Sequence, residues 1–226
     1  MAIPSGQSPP TAPARPDFCF ERHLLATGET IVAGIDEAGR GPLAGPVTAA
    51  AVVLPESYAD IPLDDSKRLC ASARLELFER LTNDASVEWA CAVVEVEEID
   101  RLNILRASHE AMRRAVLALA RRPSHVLIDG LPVRPFPIAQ TALVKGDARS
   151  LSIAAASIIA KVTRDRLMEA FDREYPQYGF AQHKGYATPG HFATLFAHGP
   201  CPIHRRSFEP VAQSWLHLDW DARSAP

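Results

Sequence analysis

Asp36 and Glu37 stand side by side at the end of a short apolar run, Ile31-Val32-Ala33-Gly34-Ile35, with Gly39-Arg40-Gly41-Pro42 close behind. Two more apolar runs end in the same way. His125-Val126-Leu127-Ile128 leads into Asp129-Gly130, and Thr141-Ala142-Leu143-Val144 leads into Lys145-Gly146-Asp147. Carboxylates at the ends of core strands are costly unless something cationic sits among them. A set of oxygen donors without His or Cys suits a hard divalent cation such as Mg²⁺ or Mn²⁺. The chemistry on offer is metal-assisted, and no side chain stands out as a nucleophile.

For these acids to meet, the runs that carry them must be neighbouring strands. Each run is short and bounded by Gly or Pro, as is Val47 to Leu54 after the glycine turn, and such runs read as buried strands. Val87 to Val93 alternates as a further strand. A helix is expected from about Ser72 to Leu81, with Leu75, Leu77, Phe78 and Leu81 on its apolar face. Glu97-Glu98 opens a long helical pattern through Leu119, closed by Arg121-Arg122, and these charges complement the helix dipole. That helix returns the chain to the Asp129 strand, a crossover that implies parallel pairing. Residues 151–175 form a helix rich in small residues, and 188–198 a short one capped by Gly199. Neighbouring side chains on a strand face opposite ways, so Asp36 and Glu37 serve one ion only if the strand ends or bulges between them.

Each candidate also has a plain structural reading. Gly39 and Gly41 make a tight turn or bring backbone close to a ligand. Asp129-Gly130 is a turn dipeptide or a strand-end acid. Asp147 is an N-cap for the helix near Ser150 or a member of the acid set, and Ser66 or Ser72 would cap the helix that follows them. Lys67 is a solvated charge or a phosphate contact. Lys161, Arg164 and Arg166, with Lys145 and Arg149, are a solvated face or a track for a phosphate backbone; Asp165 is their partner. Tyr186, in the aromatic loop Tyr175 to Tyr186, anchors that loop or packs on a nucleotide.

Composition narrows the class. The chain has 226 residues, 47% hydrophobic and 23% charged, with a net charge of −3. That suits one domain with a sizeable core and no global basic field, so any nucleic-acid binding must come from a local patch. Cys19, Cys70, Cys91 and Cys201 are scattered without a C-x-x-C pair, and His183, His191, His198 and His204 fall at irregular spacing, so structural zinc is not expected. No apolar run spans a bilayer and no secretory signal opens the chain, which points to a soluble, cytoplasmic protein. Met1 to Asp17, rich in Pro, Ser and Ala, is expected to be a disordered leader, and Phe18 to Leu25 a short lid on the sheet.

Read in order, GIDEAGRGPLAGPV, LDDSK at 63–67, LIDG at 127–130, KGD at 145–147, AASIIAKVTRD at 155–165 and HKGY at 183–186 together resemble ribonuclease HII. The resemblance runs from about residue 28 to about 208. The sister ribonuclease HIII usually carries a serine and a lysine within the first motif and an extra N-terminal domain; Ala38, Arg40 and the short leader favour HII. The resemblance implies a ribonuclease H-like α/β fold, a mixed sheet flanked by helices, in a domain from residue 18 to 226 with a small C-terminal helical extension from about 188. It implies hydrolysis of the RNA strand of RNA/DNA hybrids and cutting 5′ of single ribonucleotides in duplex DNA. The products would be 5′-phosphate and 3′-hydroxyl ends, serving ribonucleotide removal and RNA primer processing. Asp36, Glu37, Asp129 and Asp147 would hold two cations, Mn²⁺ or Mg²⁺. Gly39, Arg40 and Gly41 would bracket the 2′-hydroxyl, the group that separates RNA from DNA. Lys67 would touch a phosphate and Tyr186 the adjoining sugar, in a monomer.

Two rivals remain open at this level. A nucleotide-binding protein would use Gly39–Gly45 as a phosphate loop, yet acids directly precede it and neither standard glycine fingerprint is present. A duplex-binding module would bind without cutting.

Overall fold

A computed structural model describes residues 15–214 of the chain. In order these form α1 (Cys19–Ala26), β1 (Val32–Ala38), β2 (Val47–Val53), α2 (Ala71–Asn83), β3 (Glu88–Val94), α3 (Val96–Leu102), α4 (Ile104–Leu117), β4 (His125–Asp129), β5 (Ala139–Leu143), α5 (Leu151–Glu174), α6 (Phe180–His183) and α7 (Pro189–His198), then helical residues 209–214. The five strands make one mixed sheet in the order β3-β2-β1-β4-β5. β3, β2 and β1 pair antiparallel, whereas β1, β4 and β5 run parallel. The helical crossover expected before the Asp129 strand therefore does deliver a parallel pair.

Helices cover both faces of the sheet, α5 one and α4 the other. Strand alternation sorts β1 between them. Val32 packs with Ile153 of α5, and Ala33 and Ile35 pack with Ala107 and Ala111 of α4. Gly34 is where α5 comes closest: a Cβ there would lie 2.2 Å from the main-chain carbon of Ser152. The small residues of α5 (Ala154, Ala155, Ala156, Ala160) are all fully buried, which lets the helix lie on the sheet. The same alternation turns Asp36 toward the α5 side and Glu37 toward the α4 side.

Several sequence expectations need correction. The long helix from Glu97 is two helices, because Asn103 takes a left-handed φ of 70°, ends α3 and caps α4 by accepting from Arg106 N. Neither Ser66 nor Ser72 caps α2; its N-cap is Cys70, without a side-chain bond. Leu75 is 41% exposed and lies off the buried face of that helix. The stretch from Tyr175 to Tyr186 is partly helical, holding a 3₁₀ turn at Pro176–Tyr178 and α6. Helix α7 begins and ends as expected, with the Thr188 side chain accepting from His191 N and Gly199 as C-cap.

At the N-terminus, residues 1–14 of the expected leader lie outside the described residues, as do Trp215 and Trp220. Pro16 is already buried and Asp17 bridges Ser150, so packing includes these last two residues of the expected leader. Helix α1 packs on the sheet as expected, with Phe20 and Leu24 against Val32, Leu127 and Leu143, and it is also anchored. Its buried Glu21 accepts from Ser150 Oγ at 2.6 Å and Ser152 N at 3.0 Å, which ties it to the first turn of α5.

Candidate active site

β1 pairs with β4 as far as Ile35–Ile128, so Asp36 is the first residue past that ladder. Asp129 closes β4, opposite Leu143. Asp147 sits beyond its strand, on a 3₁₀ turn (Gly146–Ala148) that follows Lys145 at a left-handed φ of 56°. It is not the cap of α5; Ser150 is, accepting from Ile153 N. Chain reversal at Lys145 brings Asp147 back over the sheet end, and Asp36, Asp129 and Asp147 each offer an oxygen within 4.8 Å of the others.

Each of these acids rests one oxygen on a main-chain amide: Asp36 on Glu37 N (2.7 Å), Asp129 on Gly146 N (2.6 Å) and Asp147 on Ala148 N (2.9 Å). The bond to Gly146 links the β4 acid to the turn that carries Asp147. The second oxygen of each remains for another partner. Glu37 borders the same pocket from the other face of β1, and the β1–β2 register runs through it without a bulge. Its Oε1 takes Arg40 at 3.3 Å, and its Oε2 is buried with no partner.

The electrostatics agree with an unfinished site. Burial, then the charges of Glu37 and Asp129, push the Asp36 carboxyl well above the usual range. Burial, then Asp129 and Asp65, raise Asp147 to about 6, against the pull of Lys67. Burial also raises Glu37, despite Arg40. Lys67 Nζ lies 3.9 Å from Asp147 Oδ2 but is 77% exposed. Partial burial works against its charge, and the fields of Asp36, Asp65, Asp147 and Asp129 outweigh it, so its pKa rises. One exposed lysine does not neutralise the acids. Crowded carboxylates with spare oxygens and an orphaned Glu37 oxygen fit hard divalent cations.

Asp36 and Glu37 line a pocket of about 270 Å³ with Gly39, Arg40, Gly41, Lys67, Lys161 and Tyr186. Two arginines hidden in the sequence build its glycine wall. Arg164 and Arg205 are 1% and 0% exposed, and neither forms an ion pair with a carboxylate among the described residues. Arg164 bonds the carbonyls of Pro46, Lys184 and Ala44 at 2.9, 3.0 and 3.1 Å. Arg205 bonds those of Gly45, Arg40, Gly39 and Pro46 at 2.9, 3.0, 2.5 and 3.2 Å. Burial lowers Arg164 to about 10 and Arg205 to about 9, so both stay charged at neutral pH. Arg164 thus faces carbonyls and is not part of a phosphate track; Lys161 is held by Asp165 at 2.7 Å, as expected of that acid. A planar trans peptide points its N–H opposite its C=O. With the Gly39 and Arg40 carbonyls turned onto Arg205, the N–H groups of Arg40 and Gly41 face away from it, and neither has an acceptor among the described residues.

Gly39 is needed for this clamp. Its φ is 97°, and a Cβ there would fall 2.1 Å from Arg164 Nε. Gly41 is different: a Cβ would meet nothing nearer than Tyr186 Cε1 at 3.7 Å, so the fold does not demand glycine there. Tyr186 is 43% exposed, its ring centroid 6.0 Å from the Arg164 guanidinium.

Behind Tyr186 the irregularly spaced histidines meet. His191 Nδ1 bonds the Tyr186 carbonyl at 2.9 Å and so carries the proton; His191 Nε2 therefore accepts from His204 Nε2 at 3.0 Å. His204 Nδ1 accepts from Cys201 N at 3.0 Å, with Cys201 Sγ at 3.2 Å. His204 thus has a cysteine neighbour that the irregular spacing does not announce. Every ring nitrogen of this pair is nonetheless in use, and the three aspartates are the one candidate metal cluster among the described residues.

The family model described as "Ribonuclease HII" matches residues 33–211. The chain belongs to the ribonuclease HII family. Ribonuclease HII of Geobacillus kaustophilus is 54% identical, over 86% of this chain and 74% of that one. Ribonuclease HII of Chlamydia trachomatis serovar L2 is 50% identical, over 86% and 89%. Among solved structures, ribonuclease H2 from Pyrococcus horikoshii superimposes with a TM-score of 0.72 at 29% identity, covering 84% of this chain and 99% of that one. As a ribonuclease HII family member the protein is a ribonuclease H endonuclease of RNA/DNA hybrids, with a divalent-metal-dependent activity that suits its acid cluster. Both rival readings fall with that result.

Proposed function

We propose that Asp36, Glu37, Asp129 and Asp147 are the catalytic acids, holding two divalent cations, Mn²⁺ or Mg²⁺. The supporting observation is the meeting of three aspartate oxygens within 4.8 Å, each carboxylate pinned by one oxygen to a main-chain amide. When bound, such ions activate a water and stabilise the leaving 3′ oxygen, giving 5′-phosphate and 3′-hydroxyl ends. The chain's own part is orientation. Amide bonds to Glu37, Gly146 and Ala148 fix the carboxylates, and the unpaired Arg40 and Gly41 N–H groups offer donors to the 2′-hydroxyl and adjacent phosphate. Tyr186, across from Gly41, packs on the sugar, and Lys67 meets a phosphate at the open side of the pocket.

On this reading the protein cuts long hybrids and also the 5′ side of a single ribonucleotide in duplex DNA. It serves ribonucleotide removal and RNA primer processing, acting as a monomer in the cytoplasm. No helix among the described residues is long and apolar enough to cross a membrane. The test is cleavage of a labelled DNA duplex carrying one ribonucleotide, with Mg²⁺ or Mn²⁺, by wild type and Asp129→Asn. A metal-dependent cut at the ribonucleotide's 5′ side, lost in the variant, is expected. An uncut duplex beside a cut RNA/DNA hybrid would remove the assignment of Gly39, Arg40, Gly41 and Tyr186 to ribonucleotide readout.

A further inference from the structure

On the α4 side of Glu37 lies a second cavity, of about 370 Å³, where α4 meets the loop after β4. Arg106, Arg113 and Arg134 line it, with His109 and a single acid, Glu110. That acid is already engaged: Glu110 Oε2 accepts from Arg113 Nε at 3.0 Å and Oε1 from Arg114 Nε at 2.7 Å. Arg106 and Arg134 are exposed, and neither guanidinium has a hydrogen-bond or ion-pair partner among the described residues. Three arginines against one acid leave the lining at +2, on a chain whose net charge is −3. Such a local reversal is what a phosphate backbone requires of an acidic protein.

The cavity is continuous with the active site through the chain. Arg134 lies five residues beyond Asp129 on the same loop, and Arg40, three beyond Glu37, is close enough to lower the pKa of His109, second to burial. The acid pocket carries the exposed Lys67 on the α5 side, so a duplex laid across the end of the sheet meets a cation on either face.

We propose that Arg106 and Arg134 form a second phosphate-binding groove that holds the substrate duplex away from the scissile bond. This rests on the hybrid-cleaving activity proposed above. Exposed guanidiniums contacting phosphates supply affinity that is independent of sequence and falls with salt, and they leave the chemical step unchanged.

The test compares Arg106→Ala/Arg134→Ala with Arg121→Ala/Arg122→Ala, which changes net charge equally at the opposite end of β4. KM and kcat for an RNA/DNA hybrid are measured from low to physiological salt. The groove variant is expected to raise KM about tenfold at low salt with kcat within about twofold, and to flatten the salt slope by about 2. The control pair should do neither. Independently, wild type is assayed on hybrids carrying single neutral methylphosphonates at successive positions of either strand. One or two positions away from the cut should weaken binding in wild type and have no effect in the groove variant, and their strand identifies which backbone lies there. If the groove variant matches the control pair and no distant methylphosphonate matters, the proposal is wrong even while the hybrid is cut. If wild type leaves the hybrid uncut, it is the activity that fails.

Discussion

The carboxylate pocket and the C-terminal lobe beside it both bury ionisable groups, and they settle the cost in opposite ways. In the pocket, like charges face one another, three acids have raised pKa values, and Glu37 keeps an oxygen without a partner. In the lobe, Arg164 and Arg205 spend their donors on seven carbonyl contacts, and the His191–His204 pair has a fixed proton order with every ring nitrogen used. The buried, unsatisfied side-chain atoms among the described residues are on Glu21, Glu37 and Thr48, none of them in the lobe. One region is left incomplete for a ligand, and the other is completed so that the glycine wall has a rigid back. Neutralising a group should therefore relieve the pocket and damage the lobe.

The sharpest break would come from Asp129→Asn. The amide keeps an oxygen for Gly146 N while removing one charge from the cluster. Activity is expected to fall about a thousandfold or more, the equivalent of several kcal/mol of lost charge stabilisation. Without metal, the melting temperature should hold or rise. A drop of several degrees would mean that the acids are structurally paired and that the contrast is false.

Arg205→Ala tests the other side. It takes the Arg205 bond from the carbonyls of Gly39, Arg40 and Gly45 around a buried void, while that of Pro46 keeps Arg164, so a loss of about 3–5 kcal/mol is expected, or roughly 10 °C in melting temperature. Arg205→Lys should recover less than half, because one ammonium cannot reach acceptors arrayed around a planar fork. Melting within 2 °C of wild type, read by circular dichroism, would show that the lobe is not held by this clamp.

The two glycines divide along the same line. Gly39→Ala forces a methyl into Arg164 at a left-handed φ, and a loss of about 2–3 kcal/mol is expected in denaturant unfolding. Gly41→Ala meets only van der Waals contact, so stability should stay within about 0.5 kcal/mol while KM for a hybrid rises several-fold. Equal destabilisation by both would erase the distinction between a glycine needed by the fold and one left open for substrate.

These positions also show what the sequence made legible. The strands and their terminal acids were readable because short apolar runs between glycines have few other solutions, and the small residues of α5 announced close packing on the sheet. The two-faced placement of Asp36 and Glu37 followed from strand alternation alone. The break at Asn103 was not readable, since its residue type fits both a helix interior and a left-handed cap. Arg164 was misread within a basic run because charge spacing cannot say which guanidinium turns inward. Arg205 was not singled out at all; carbonyl acceptors carry no residue signature, and its partners lie about 160 positions away. The histidines looked unrelated for the same reason, being brought together only by the turn at Gly185 and helix α7.

The smallest expected effect is the one that sets the two regions directly against each other. His204 is lowered to about 4, by burial and then by His191, so the folded state binds fewer protons than the unfolded chain between about pH 6.5 and 4. Its contribution is present above pH 6.5 and is lost as pH falls through that window. Asp147, raised to about 6, has the opposite sign: between about pH 6 and 3.8 the folded state binds more protons, so folding gains as pH falls. From pH 7 to 4.5 each contributes about 2 kcal/mol, and in the metal-free protein they offset one another. Asp147→Asn removes the acid's share and leaves the histidine's. Urea unfolding across that range should therefore show the variant losing about 2 kcal/mol more than wild type on acidification. Parallel curves for the two proteins would mean that Asp147 is not held under repulsion, and the pocket would then be as settled as the lobe.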